Sequence, residues 1–171
     1  MFNLRENTEE KKILNATFKV IQKEGIDKAT TKKIAAEAGV NEVTIFRKFE
    51  NKKNLIEKTK EHFIKVFIDK LRGIFYFNGD EEIKDYLQGA FKGLLNLSDS
   101  DFSIIKIAME EVREIPERKL LISHITDVVL DKLEEFFILQ KENGTIMDVD
   151  PRVVAVMCFS LIFQSVILRN V

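Results

Sequence analysis

Side chains able to support covalent or metal chemistry are few and scattered in this chain. His62 and His124 stand apart from any metal-ligand spacing, and the single Cys158 sits in an apolar stretch where a buried structural thiol is the norm. With no glycine-rich phosphate loop and no nucleophile motif, the chain reads as a non-enzyme that needs neither cofactor nor metal. Hydrogen-bonding and cationic groups, by contrast, are concentrated in one segment, Thr30 to Leu55, with the sequence TTKKIAAEAGVNEVTIFRKFENKKNL. Ala35 and Gly39 lie four residues apart, as expected where two short helices cross steeply and join through a tight turn that takes a positive φ. Ile34, Val40, Ile45 and Phe49 are spaced to fill the room between those helices. The helix expected from Glu42 to Phe49 then turns Glu42, Val43, Thr44, Arg47 and Lys48 outward. That mixture of polar, apolar and basic groups can reach base edges and phosphates in a major groove.

The elements that must position this segment are helical throughout. A first helix is expected from about Glu9 to Glu24, with Ile13, Ala16, Phe18, Val20 and Ile21 buried and Gly25 closing it. Asp27 and Thr30 or Thr31 start a second that Gly39 stops, Asn41 caps the third, and Asn51 caps a fourth that runs to about Ile74. Further on, Asp80 opens a helix to about Leu97, and Ser98 to Ser100 open another that ends before Pro116. A long helix is expected from about Glu117 to Glu142, and the last starts at Asp150-Pro151, where proline's missing N–H costs nothing.

Composition agrees with an all-α fold: 45% of residues are hydrophobic and 32% charged, with only 7 Gly and 2 Pro to make turns. A net charge of -1 conceals a division, since residues 1–60 carry 14 Lys and Arg against 9 Asp and Glu and the remainder is acidic. A basic head on an acidic body suits a phosphate-binding module on a domain that should not itself adhere to DNA. One cysteine and a polar N-terminus fit the cytoplasm. The longest apolar run, Val153 to Leu168, is 16 residues broken by Ser160, Gln164 and Ser165, so no membrane partner is expected.

From Ile13 to about Ile56 the sequence resembles the DNA-binding domain of the TetR family, through Ala16, Gly25, Thr30-Thr31, Ile34-Ala35, Ala38-Gly39-Val40, Thr44-Ile45-Phe46, Phe49, Asn51-Lys52 and Leu55-Ile56. The resemblance implies a three-helix helix-turn-helix domain over residues 1–51 and a helical effector-binding and dimerisation domain over 52–171. It implies double-stranded operator DNA as a partner, a homodimer, and a repressor released by a small, mainly apolar effector. A constitutive or architectural DNA-binding protein without an effector is the alternative reading.

Residue by residue, the resemblance places Thr31, Thr44 and Lys52 at phosphates, Lys32 and Asn41 to Thr44 (with Glu42 and Val43) at base edges, and Arg47 and Lys48 toward the backbone or groove. Capping accounts for Thr31 equally simply, and Lys32, Arg47 and Lys48 also read as solvated charges. Phe46 stands where the family usually has a tyrosine whose hydroxyl reaches a phosphate; its ring either meets sugar or a thymine methyl, or is core. Glu42 either accepts from a cytosine amino group or stabilises the helix start. In the second domain Phe63, Phe67, Tyr86, Phe91, Ile105, Met109 and Phe136 are candidates for a pocket wall, although aromatic residues at helical spacing are more often core. The resemblance implies a dimer interface of two C-terminal helices per subunit. The last helix here is apolar around most of its circumference, and either the seventh pairs with it or the chain belongs to a longer protein.

Overall fold

In a computed structural model the chain is described over residues 2–114 and 120–169, with side chains described over 8–107, over 123–165 and at 168. The described elements are α1 (Phe2–Glu24), α2 (Thr31–Ala38), α3 (Glu42–Phe49), α4 (Lys52–Ile74), α5 (Ile83–Leu95), α6 (Asp99–Glu114), α7 (Leu120–Glu142) and α8 (Pro151–Arg169). They group by packing into two compact units, Met1–Val66 and Phe67–Val171.

In the first unit, capping chemistry fixes the short helices. Thr30 rather than Thr31 caps α2, its hydroxyl accepting from the Lys33 amide at 3.3 Å, and Asn41 caps α3 by accepting from the Val43 amide at 2.9 Å. Asn51 does the same for α4, accepting from the Asn54 amide at 2.8 Å. α2 stops at Gly39, whose φ of 61° is the left-handed conformation that L side chains rarely adopt. A Cβ there would meet only the Lys12 ammonium nitrogen at 3.6 Å, so the glycine serves its backbone angle and not a close helix crossing. The small residues buried where α2 packs are Ala35 and Ala38. α3 ends without a glycine, at Glu50 with φ of 65°. α1 begins seven residues before its expected start, in a stretch without Gly or Pro to interrupt it.

Ile13, Ile34, Ile45, Phe49 and Leu55 are fully buried and join all four helices of this unit, while Thr17 and Thr59 satisfy their buried hydroxyls on the carbonyls of Ile13 and Leu55. Phe63 stacks on Phe18 with ring centroids 4.0 Å apart. The first half of α4 is therefore packed with the head, and the packing division falls at Val66/Phe67, beyond the division at 51/52 that the resemblance implies.

The second unit has its core in Phe67, Leu71, Phe75, Tyr86, Leu133 and Phe136. α5 starts three residues later than Asp80, because the Glu81 carboxylate accepts from the amides of Asn78 and Gly79 and holds that stretch as a turn. Gly93 lets α5 lie against α4, since a Cβ there would come within 2.8 Å of Ile74 Cγ2. α6 opens with a reciprocal cap: Ser98 N donates to Asp101 Oδ2 at 2.7 Å and Asp101 N donates to Ser98 Oγ at 3.3 Å. The start expected at Glu117 lies outside the described residues; α7 is described from Leu120. α8 packs on α7, with Asp150 capping it and Arg152 donating to Asp131 and Glu134 at 2.8 Å each. Among the described residues no buried side-chain nitrogen or oxygen lacks a partner, and no helix is long and apolar enough to cross a membrane.

Burial alone would raise the pKa of Asp101, but hydrogen bonds from Lys70 and Ser98 outweigh it and hold the carboxyl below its usual value of 3.8. A carboxylate with a lowered folded-state pKa contributes stability that is present above its unfolded value and lost as pH falls through the lowered one. Asp101→Asn is expected to cost about 1–2 kcal/mol at neutral pH. Urea denaturation across pH should show this gap shrinking below pH 3.8, and a gap independent of pH would mean that the charge is not the stabilising element.

Candidate nucleic-acid interface

α3 has eight residues, and burying Ile45 and Phe49, four positions apart on one face, decides where all the others point. Val43 is 70% exposed and Phe46 46% exposed, which removes the core reading of Phe46. Arg47 and, on α2, Lys32 are exposed, and neither has a side-chain partner among the described residues. Val43, Phe46 and Arg47 stand at i, i+3 and i+4, so they share one outward face of the helix.

Most of the remaining polar candidates are engaged within the protein. Thr31 donates its hydroxyl to the Glu42 carboxylate in a short hydrogen bond that ties the first turn of α2 to the first turn of α3. Thr31 is thus a cross-helix link and not a cap, and one of the two Glu42 carboxylate oxygens, Oε1, already accepts from its hydroxyl. Asn41 spends its Oδ1 on capping, which leaves its amide N–H groups. Lys48 is only 14% exposed along its side chain and pairs with Glu9 of α1 at 3.3 Å. Lys52 donates to the Asp27 carbonyl at 3.3 Å, joining the start of α4 to the α1–α2 turn. Thr44 is half-buried, with its amide bonded to the Asn41 carbonyl at 2.9 Å.

Glu9 and Asp27 therefore belong to this surface although the sequence reading did not include them. Each partner lies more than twenty positions away, and no local pattern signals such a pair.

Of the seven candidates for a pocket wall, Phe63 is in the first unit, stacked on Phe18. Phe67, Tyr86 and Phe136 are buried in the second, where Tyr86 stacks on Phe136 at 3.9 Å and donates its hydroxyl to the Phe75 carbonyl at 3.1 Å. Burial holds the Tyr86 phenol far above its usual pKa. Phe91 and Ile105 are half-buried, and the Met109 side chain lies outside the described residues. Two open surface clefts are described. One is lined by Gly79–Lys84, Gln140, Asn143 and Thr145, the other by residues of α1 and α2, and neither includes a candidate wall residue.

Residues 13–59 match the profile of the bacterial regulatory proteins, tetR family. Over 47 residues, 28% of this chain, the sequence is 49% identical to an uncharacterized HTH-type transcriptional regulator, YvkB, of Bacillus subtilis. That match spans 25% of the relative's own length. A Mesorhizobium loti protein assigned to the TetR family has the same fold, with a TM-score of 0.74 at 16% identity over 91% of this chain and 79% of that one. FadR of Bacillus halodurans, a fatty acid degradation regulator, superposes with a TM-score of 0.62 at 26% identity over 95% of this chain and 86% of its own.

If the Thr31–Glu42 link holds α2 against α3, Thr31→Val and Glu42→Ala should each cost about 1 kcal/mol and the double variant little more than either. A double-mutant cycle by chemical denaturation measures this coupling. Additive losses would show that the two residues act independently.

Proposed function

We propose that this chain, whose residues 13–59 match the profile of the bacterial regulatory proteins, tetR family, represses transcription as a homodimer on a two-fold operator. α3 enters the major groove. The observation that carries this reading is the outward face of α3, where two exposed apolar side chains stand beside an unpaired guanidinium while the neighbouring Glu42 and Lys48 are bonded to Thr31 and Glu9. An eight-residue helix is about 12 Å long and reads only a few base pairs, so two copies are needed for useful specificity.

The second copy docks on α8. Its outward side carries Val153, Val156, Met157, Leu161 and Leu168, with Met157 61% and Leu161 66% exposed, spread over nearly half the helix circumference. A largely apolar face of this kind, interrupted by the exposed Ser160 and Gln164, is expected where a partner removes it from water. Ile138 of α7 is exposed as well, so the proposed interface draws on both C-terminal helices.

α4 supplies the route from an effector to the DNA. Its first turns carry Lys52, Leu55 and Phe63 in the head, and its later turns place Phe67 and Leu71 in the core of the second unit. A small apolar molecule that enters this core and favours one packing of Phe67 and Leu71 biases one placement of the helix. Its effect is limited to its differential affinity for the two placements, about 1–3 kcal/mol or 5- to 150-fold in DNA affinity. A second reading, constitutive binding without an effector, is favoured by the tight packing of Tyr86 and Phe136.

The test is selection of bound duplexes from a random pool with the full chain, followed by a search for compounds that release the recovered duplex. An inverted repeat supports the proposal, and recovery of no preferred sequence overturns it. Discovery of a releasing compound decides for the regulated reading over the constitutive one. Leu161→Glu is expected to sediment as a monomer and to bind the recovered duplex at least about a hundredfold more weakly, because it loses the second half-site. A dimer that survives this charge would place the interface elsewhere.

A further inference from the structure

We propose that the half-site is read chiefly through thymine 5-methyl groups packed against Val43 and Phe46, with an adjacent guanine taken by Arg47. This inference rests on the DNA-binding reading above and specifies its chemistry. Each base pair shows a distinct set of groups in the major groove, and the thymine methyl is the apolar one among them. Adenine is ordinarily read by a bidentate Asn or Gln, and cytosine by a carboxylate that accepts from its amino group. On this protein those readers are partly committed within the chain: the Asn41 Oδ1 caps α3, and Oε1 of the Glu42 carboxylate accepts from Thr31. The Lys48 ammonium is paired with Glu9.

What remains outward on α3 is a valine side chain, an aromatic ring and a guanidinium, at positions 43, 46 and 47 on one face. Phe46 has no hydroxyl to offer a phosphate, so its exposed ring contributes only by covering apolar surface. Val43 is the more exposed of the two, 70% against 46%, and as a β-branched side chain it presents two methyl groups to a groove. Exposed apolar groups beside a cation match a groove floor in which methyl groups lie next to guanine O6 and N7, which Arg47 can take bidentately.

Deoxyuridine differs from thymidine only by the missing methyl, so it isolates the contact. In the duplex recovered by selection with the full chain, thymines are replaced one at a time by deoxyuridine and binding is followed by fluorescence anisotropy. One or two positions per half-site should lose about fourfold in affinity each, the effect of one methyl group returned to water. Phe46→Ala and Val43→Ala should bind the unmodified duplex more weakly and lose the discrimination between thymine and uracil. Both side chains are exposed, so truncation leaves the core intact, and unchanged thermal midpoints verify this. Phe46→Tyr keeps the ring and should keep the discrimination. Affinity unchanged within about twofold at every deoxyuridine position, or equal discrimination by wild type and both truncated variants, overturns the proposal while leaving DNA binding in place. Failure to recover any duplex overturns instead the reading on which it rests.

Discussion

A helix of eight residues has too few internal hydrogen bonds to stand alone in water, so α3 exists only because Ile45 and Phe49 are held at zero exposure against the other helices of the head. Every functional property of the first unit follows from that requirement. Two anchors four residues apart fix the rotation of the helix, and fixing the rotation selects Val43, Phe46 and Arg47 as the groups that meet whatever approaches. Caps at Thr30, Asn41 and Asn51 then define where each helix begins without drawing on the core. The Thr31–Glu42 bond adds a part-buried polar tie between the first turns of α2 and α3. Rigid placement matters because base edges are distinguished by groups only a few ångströms apart.

The second unit answers a different constraint. Its core is closed by a cluster of aromatic rings, with Tyr86 and Phe136 stacked and Phe77 set edge-on to both. Dense packing of this kind has few intermediate arrangements, so a change of state is expected as a discrete repacking. α8 is different again. It buries Ala155 fully, is tied to α7 by Arg152, and leaves a broad, mainly apolar side toward solvent. An account in which that side meets a second copy explains the burial pattern and the need for paired recognition helices together.

Local signals carried most of the fold. Gly39, Asn41, Asn51, Asp150 and Pro151 stand at or within one residue of the helix ends expected from them, since caps and breakers act over three or four residues and are visible in a linear sequence. What was not legible depends on distance or on absence of a marker. α3 ends at Glu50 in a left-handed conformation without glycine, and α5 begins late because Glu81 turns its carboxylate back on two preceding amides. The Lys48–Glu9 and Lys52–Asp27 contacts required the tertiary structure, as did the finding that Phe63 serves the head. The site was legible as a set of residues on α3. Which of those residues are committed inside the protein and which are left to face a partner was not, because Thr31, Glu42 and Lys48 have the same chemistry in either role.

The central claim is that the outward face of α3, rather than the charge of the head at large, meets DNA. Nuclear magnetic resonance of the full chain labelled at valine methyl groups, titrated with a duplex that it binds, tests this most directly, because Val43 lies on that face and Val20 lies in the head core. The account predicts that the Val43 resonances shift most and those of Val20 stay nearly in place. Bound duplex with Val43 unmoved would contradict it.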